Sequence, residues 1–166
     1  MADLLNTFAL IAATFTGFIG IVFVLGRRAE GSLSIHESSA VFHLLYTALG
    51  ALFISLVASV FLALIDKEAL VWQVGNGVCG LYLLIGVGIA TVAEFQGRFG
   101  IPRKGIVWPI FVGSYVLVGV AFAVAAGYFS AAAAIVFMMC IIWLLLVTTT
   151  YFVSLVALLP TGKLND

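Results

Sequence analysis

Charge is what this chain has least of. Asp, Glu, Lys and Arg together make up 8% of its residues, against roughly 25% in soluble domains. Scarcity of that order excludes a water-solvated surface, because so few charged groups cannot cover the outside of a 166-residue globule. The seven basic and seven acidic residues cancel, which leaves no basic patch for a nucleic acid, and no nucleic-acid partner is expected. Cysteine is scarce as well. Cys79 and Cys140 each lie inside an apolar stretch with no neighbouring ligands, a pattern that is neither a disulfide framework nor a zinc motif. They share a depth with Met138 and Met139, so Cu(I) is a chemical option, with ordinary packing the default. No HExxH, no paired aspartates and no Ser/His pair occur within the apolar runs, so neither enzymatic activity nor a cofactor or metal is expected.

What the chain has instead is hydrocarbon, at 64% hydrophobic residues. Stretches free of charge run from Leu4 to Gly26, Ser38 to Ile65, Ala69 to Ala93 and Gly105 to Gly162. A bilayer core about 30 Å thick takes roughly 20 helical residues, so each of the first three is one crossing and the fourth holds two. The fourth divides at Gly127-Tyr128-Phe129-Ser130: glycine ends a helix, tyrosine suits the headgroup level, and Ser130 can cap the next helix. The runs are continuously apolar and do not alternate, which argues against a membrane barrel. The expected fold is all-α, a single membrane domain and polytopic five-helix bundle with helices near 4–26, 35–65, 69–95, 106–127 and 131–159. Its loops are too short to hide a soluble domain.

On that map Arg27, Arg28, Arg98, Arg103, Lys104 and Lys163 fall on one side of the bilayer and Lys67 alone on the other. The positive-inside rule then places the N-terminus outside and the C-terminus in the cytoplasm of a plasma membrane, bacterial inner membrane being the natural setting. Arg27-Arg28 follows the first apolar segment rather than preceding it, so that segment reads as a retained span and not as a signal peptide. Trp72 and Trp108 fall where interfacial aromatics belong; Trp143 is mid-span and has to pack or face lipid.

Ser34-Ile35-His36-Glu37 is a capping-box pattern opening the second helix. His36 and His43 are seven residues apart, nearly on one face, with Thr47 and Gly50 continuing the stripe. Glu94 falls at a similar depth on the third helix. His36, Glu37, His43 and Glu94, with Arg27 and Arg28 nearby, are therefore expected to form a polar layer at the cytoplasmic end. Three readings fit it: capping, snorkelling and headgroup contact; proton or ion access; or ligation of a metal or haem. The i, i+7 spacing is too long for one compact metal site without another helix.

The third helix carries Gln73, Gly75, Asn76, Gly77, Gly80, Gly86 and Gly88. Asn76 and Glu94 are five helical turns apart and project from one face with Gly80, Val87 and Thr91. That face reads either as the lining of a narrow polar path or as the contact surface of the most buried helix. Small residues recur every fourth position at Thr47, Ala51, Ser55, Ser59 and Ala63, and at Gly119, Ala123 and Gly127, marking close helix contacts within or between protomers. The leading expectation is a small, self-associating membrane protein that forms or gates a pathway for an ion or small solute. The alternative is a non-catalytic accessory or scaffold subunit of a larger membrane complex.

Overall fold

The computed structural model describes residues 2–30, 35–96 and 104–158, with side chains over 3–21, 38–96, 108–154 and 156. The described chain is helical: α1 (Ala2–Glu30), α2 (Ile35–Leu64), α3 (Glu68–Phe95), α4 (Lys104–Ala125) and α5 (Ala133–Leu158), with a single 3₁₀ turn, Ser130–Ala132, leading into α5. Each helix holds a stretch long and apolar enough to cross a membrane, with mean hydropathy between 1.8 and 2.7. Their outer surface is apolar too, with Leu10, Phe18, Val60, Val116 and Ile135 all exposed. Exposing such side chains to water costs about 25 cal/mol per Å², a penalty that disappears in hydrocarbon.

The helix ends refine the expected boundaries. α1 runs through Arg27 and Arg28 to Glu30 rather than stopping at Gly26, which sets both arginines in its last turns. α4 starts at Lys104 and carries Pro109 in its second turn, where the missing N–H forgoes one backbone bond. Ser34 of the expected capping box lies outside the described residues, as do Arg98, Arg103 and Lys163.

The division of the fourth apolar run is where the sequence placed it, by a mechanism only partly anticipated. The Tyr128 N–H donates to Ala123 O at 3.0 Å and the Gly127 N–H to Val124 O at 2.9 Å, while Gly127 has φ +95°. That is a Schellman closure, with glycine supplying the left-handed residue. Ser130 does not cap α5 with its side chain. Phe129, itself at φ 55°, occupies the cap position, and a backbone bond from the Ala132 N–H to Phe129 O starts the 3₁₀ turn instead. Tyr128 and Phe129 are both exposed at the tip.

Helices consecutive in the chain run antiparallel: Ser59 near the end of α2 donates to Asn6 near the start of α1. α3 and α5 run parallel, so that Asn76 near the start of α3 reaches Ala133 at the start of α5. α1 lies mainly against α2, α3 mainly against α4, and α5 sits between the two pairs. More than half of the α5 span is buried, at 56%, against 28% for α3. α3 is therefore not the most buried helix, contrary to its glycine and amide content. Its glycines serve local close approaches: a Cβ at Gly80 would lie 3.2 Å from the Ala121 methyl, and one at Gly75 would lie 3.0 Å from the Phe137 ring. The centre goes to α5, the most hydropathic span, which has apolar neighbours on several sides.

Two apolar clusters fill the bundle. One surrounds Phe137, Cys79, Cys140, Ile141 and Leu144 towards the α2–α3 connection. The other surrounds Leu44, Val87, Phe111 and Val147 towards the opposite end. Trp72 belongs to the first. It is 6% exposed and packs on Phe137 at 5.6 Å between ring centres, so it is a core residue rather than an interfacial one. Trp108, at 67% exposed, stays on the surface.

Candidate functional site

Polar side chains converge at one level, between α2, α3, α4 and α5. His43 lies eight residues into α2, about 12 Å along its axis. Ser114 on α4, Gly86 on α3 and Tyr151 on α5 come to the same level through the antiparallel arrangement. These residues, with Tyr46 and Thr47, line a small interior cavity of about 40 Å³, whose remaining walls include Leu83, Val87, Phe111 and Val147. At about 10–15 Å³ per enclosed water, such a cavity takes a few water molecules and no organic solute.

The cavity's polar groups are buried and mutually held. His43 is 4% exposed, and its imidazole stacks on the Tyr151 ring at 5.6 Å and 22°. Thr47 donates to His43 O at 3.0 Å, one turn back, as threonine in a helix commonly does. Its hydroxyl also accepts from Thr148, at 2.8 Å, which joins α2 to α5 just beneath the cavity. Ser114 accepts from the Trp143 indole N–H at 2.9 Å. The mid-span tryptophan is thus explained: it packs over Gly113, where a Cβ would come within 2.4 Å of the ring, and its polar edge is satisfied inside the bundle. Glu94, half-buried, lies one turn beyond Ala90 of the cavity wall on α3.

The residues singled out by sequence divide accordingly. His43 lines the cavity, whereas Glu94 is half-buried on α3 and is not among the lining residues. His36 and Glu37 lie in the first turn of α2, Arg27 and Arg28 in the last turns of α1, and Lys104 at the start of α4, all with side chains outside the described set. Asn76 is fully buried away from the cavity. Its amide N–H groups donate to Trp72 O at 2.7 Å and Ala133 O at 2.8 Å, which ties α3 to the start of α5. Thr91 turns towards α4, bonding Val87 O at 2.7 Å and the Tyr115 hydroxyl at 3.0 Å. Gln73 is half-buried and, like Asn76 and Thr91, does not line the cavity. Between Asn76 and Thr91 the face is packed by Ala121 and Phe122 against Gly80. Sequence reasoning missed Tyr46 and Ser114, since one tyrosine or serine in an apolar run carries no spacing signal; Tyr151 stands out in sequence only within the polar run Thr148 to Tyr151, with Ser154, on the fifth helix, for which packing is the default reading. The seven-residue spacing of His36 and His43, continued by Thr47, marked the face of α2 that carries His43 and Thr47 to the cavity.

Cys79 and Cys140, both fully buried, face one another between α3 and α5 within the first apolar cluster. Among the described residues no group of three or more His, Cys, Asp and Glu side chains gathers as a metal site would require. Fold and site together define an all-α bundle of membrane-length helices with an interior polar cavity built on histidine and tyrosine. No family model, curated protein or solved structure matches the chain.

Proposed function

We propose that the chain is a polytopic membrane protein, N-terminus outside and C-terminus in the cytoplasm, that admits protons to His43 and so forms or gates an ion pathway. The observation that carries this reading is the buried His43, stacked on Tyr151 at the wall of a water-sized cavity lined also by the Tyr46, Thr47 and Ser114 side chains. Histidine and glutamate exchange protons, and hydroxyl groups with a few waters relay them. Cavity size favours a proton over any larger solute. Beyond His43 the bundle is closed by the apolar cluster around Phe137, so passage to the far side requires that packing to open.

The test is proton flux into liposomes holding the purified protein, driven by an imposed potential and read with an entrapped pH dye. Wild-type protein is expected to conduct above empty liposomes, and His43→Gln is expected to fall to their level while keeping its melting temperature. Equal flux through both proteins, or none through the wild type, overturns the reading.

A second reading, an accessory subunit of a larger complex or a self-associating chain, is favoured by one observation. At Gly17 and Gly20 on α1, Gly88 on α3 and Gly119 on α4, an added Cβ would meet nothing within 4 Å. Uncovered glycines let another helix approach closely. Sizing in mild detergent separates the cases: a partner at fixed stoichiometry supports the subunit, a defined multiple of the chain mass supports self-association, and a lone monomer removes both.

A further inference from the structure

α2 and α3 are consecutive, joined through residues 65–67, and they meet where Tyr82 covers Gly50. Between them lies a groove of about 430 Å³. Ile65 and Leu70 flank its mouth at the connection, and Gly50 and Tyr82 close its deep end, with Val74 and Phe137 along the way. Every lining residue except Tyr82 is apolar, and the Tyr82 hydroxyl is committed to the Tyr46 carbonyl. From Ile65 back to Gly50 is fifteen residues of helix, or about 22 Å at 1.5 Å each. One leaflet's hydrocarbon is about 15 Å deep. The groove is therefore long enough for an extended acyl chain and offers it no polar group. Water gains nothing there, and a polar ligand would lose its hydration without replacement.

The mouth adds a second feature. The connection between the helices carries Asp66, Lys67 and the first residue of α3, Glu68, all exposed. This negative–positive–negative triplet complements a headgroup holding both a phosphate and a primary ammonium. An anionic headgroup without the ammonium would satisfy Lys67 and be repelled by the two carboxylates. A choline headgroup would meet the carboxylates without N–H donors.

We propose that the α2–α3 groove binds one phospholipid of the phosphatidylethanolamine type, its acyl chain lying between Ile65 and Tyr82 and its headgroup held by Asp66, Lys67 and Glu68. The site rests on the membrane-spanning reading and is independent of proton transfer at His43.

The experiment is native mass spectrometry of the whole chain released from nanodiscs containing equimolar palmitoyl-oleoyl phosphatidylethanolamine, phosphatidylglycerol and phosphatidylcholine. The expected result is one retained lipid, with ethanolamine preferred over glycerol by about tenfold, the equivalent of one charge-assisted hydrogen bond. Val74→Trp, which fills the groove from a position 54% exposed, is expected to abolish retention. Val116→Trp, on α4 and away from the groove, is expected to leave it unchanged. Asp66→Asn combined with Glu68→Gln is expected to keep the chain folded and erase the headgroup preference, since Lys67 alone pairs with either phosphate. Equal retention of the three lipids overturns the headgroup assignment, and undiminished retention by Val74→Trp, or none by the wild type, overturns the site. Proton flux measured on Val74→Trp keeps the two proposals apart, since loss of lipid with intact flux affects only this one.

Discussion

Tyr46 and Tyr82 hold each other reciprocally across α2 and α3. The Tyr46 hydroxyl donates to Tyr82 O at 2.8 Å, the Tyr82 hydroxyl donates to Tyr46 O at 2.5 Å, and the rings stack at 4.3 Å and 10°. Each ring lies over a glycine of the opposite helix, Tyr46 over Gly86 and Tyr82 over Gly50. Both helices thus carry the same Tyr-x-x-x-Gly element, and antiparallel packing brings the two copies face to face. Tyr46 lines the polar cavity and Tyr82 the apolar groove, so the pair is the partition between them.

The glycines are expected to matter more than the hydroxyls. A Cβ at position 50 would sit 2.2 Å from the Tyr82 ring and one at position 86 would sit 2.7 Å from the Tyr46 ring. Rings pinned by stacking and hydrogen bonds yield poorly, so Gly50→Ala should cost about 1–3 kcal/mol and Gly86→Ala somewhat less. Tyr82→Phe should cost about 0.6 kcal/mol, the usual worth of an interhelical hydrogen bond in a membrane. Thermal melts in detergent check the order; a Tyr82→Phe loss exceeding that of Gly50→Ala contradicts it.

Trp143 and Ser114 form the other buried clamp, between α5 and α4. Ser114→Ala removes the acceptor of the indole N–H and should cost about 1–2 kcal/mol, the usual penalty for a buried donor that loses its partner. Gly113→Ala should be the more damaging neighbour, given the 2.4 Å approach to the ring. The melting temperatures of the two variants decide it.

Asn76 is structural on this reading. Asn76→Leu removes its bond to Ala133 O but also removes a buried Oδ1 that lacks a partner, so the two effects offset and stability should change by less than about 1 kcal/mol. Proton flux should persist. Flux lost in a folded Asn76→Leu protein would restore the polar path along α3.

The turn at Gly127 supplies the topological test. With Cys79 and Cys140 replaced by alanine, a cysteine introduced at Phe129 is expected to react with a membrane-impermeant maleimide added outside intact cells. Reaction only after the cells are opened reverses the proposed orientation. Gly127→Ala should in addition cost about 1 kcal/mol or more, since φ +95° is strained for any residue with a Cβ.

Much of the architecture was legible because a bilayer leaves few options. A charge-free run of helical length has little to do but cross, and the glycine at 127 could be read as a stop from its chemistry alone. Burial was not legible. Hydropathy ranks a lipid-facing leucine and a core leucine alike, so nothing in the composition of α5 announced that it is central, and the amides and glycines of α3 pointed the wrong way. Trp72 was placed at an interface by its position near a helix end, whereas Phe137, 65 residues further on, makes it a core residue.

The sequence by itself determined the number and type of helices, their approximate ends and the asymmetry of basic residues about them, because these follow from local composition and the thickness of a membrane. Only the tertiary structure decided which polar residues meet. His43 with Tyr151, Tyr46 with Tyr82 and Asn76 with Ala133 are pairs from different helices, brought together by packing of side-chain shapes that no single helix encodes. In an apolar chain the hydrophobic pattern cannot choose a helix's inner face, so that choice falls to these scattered contacts.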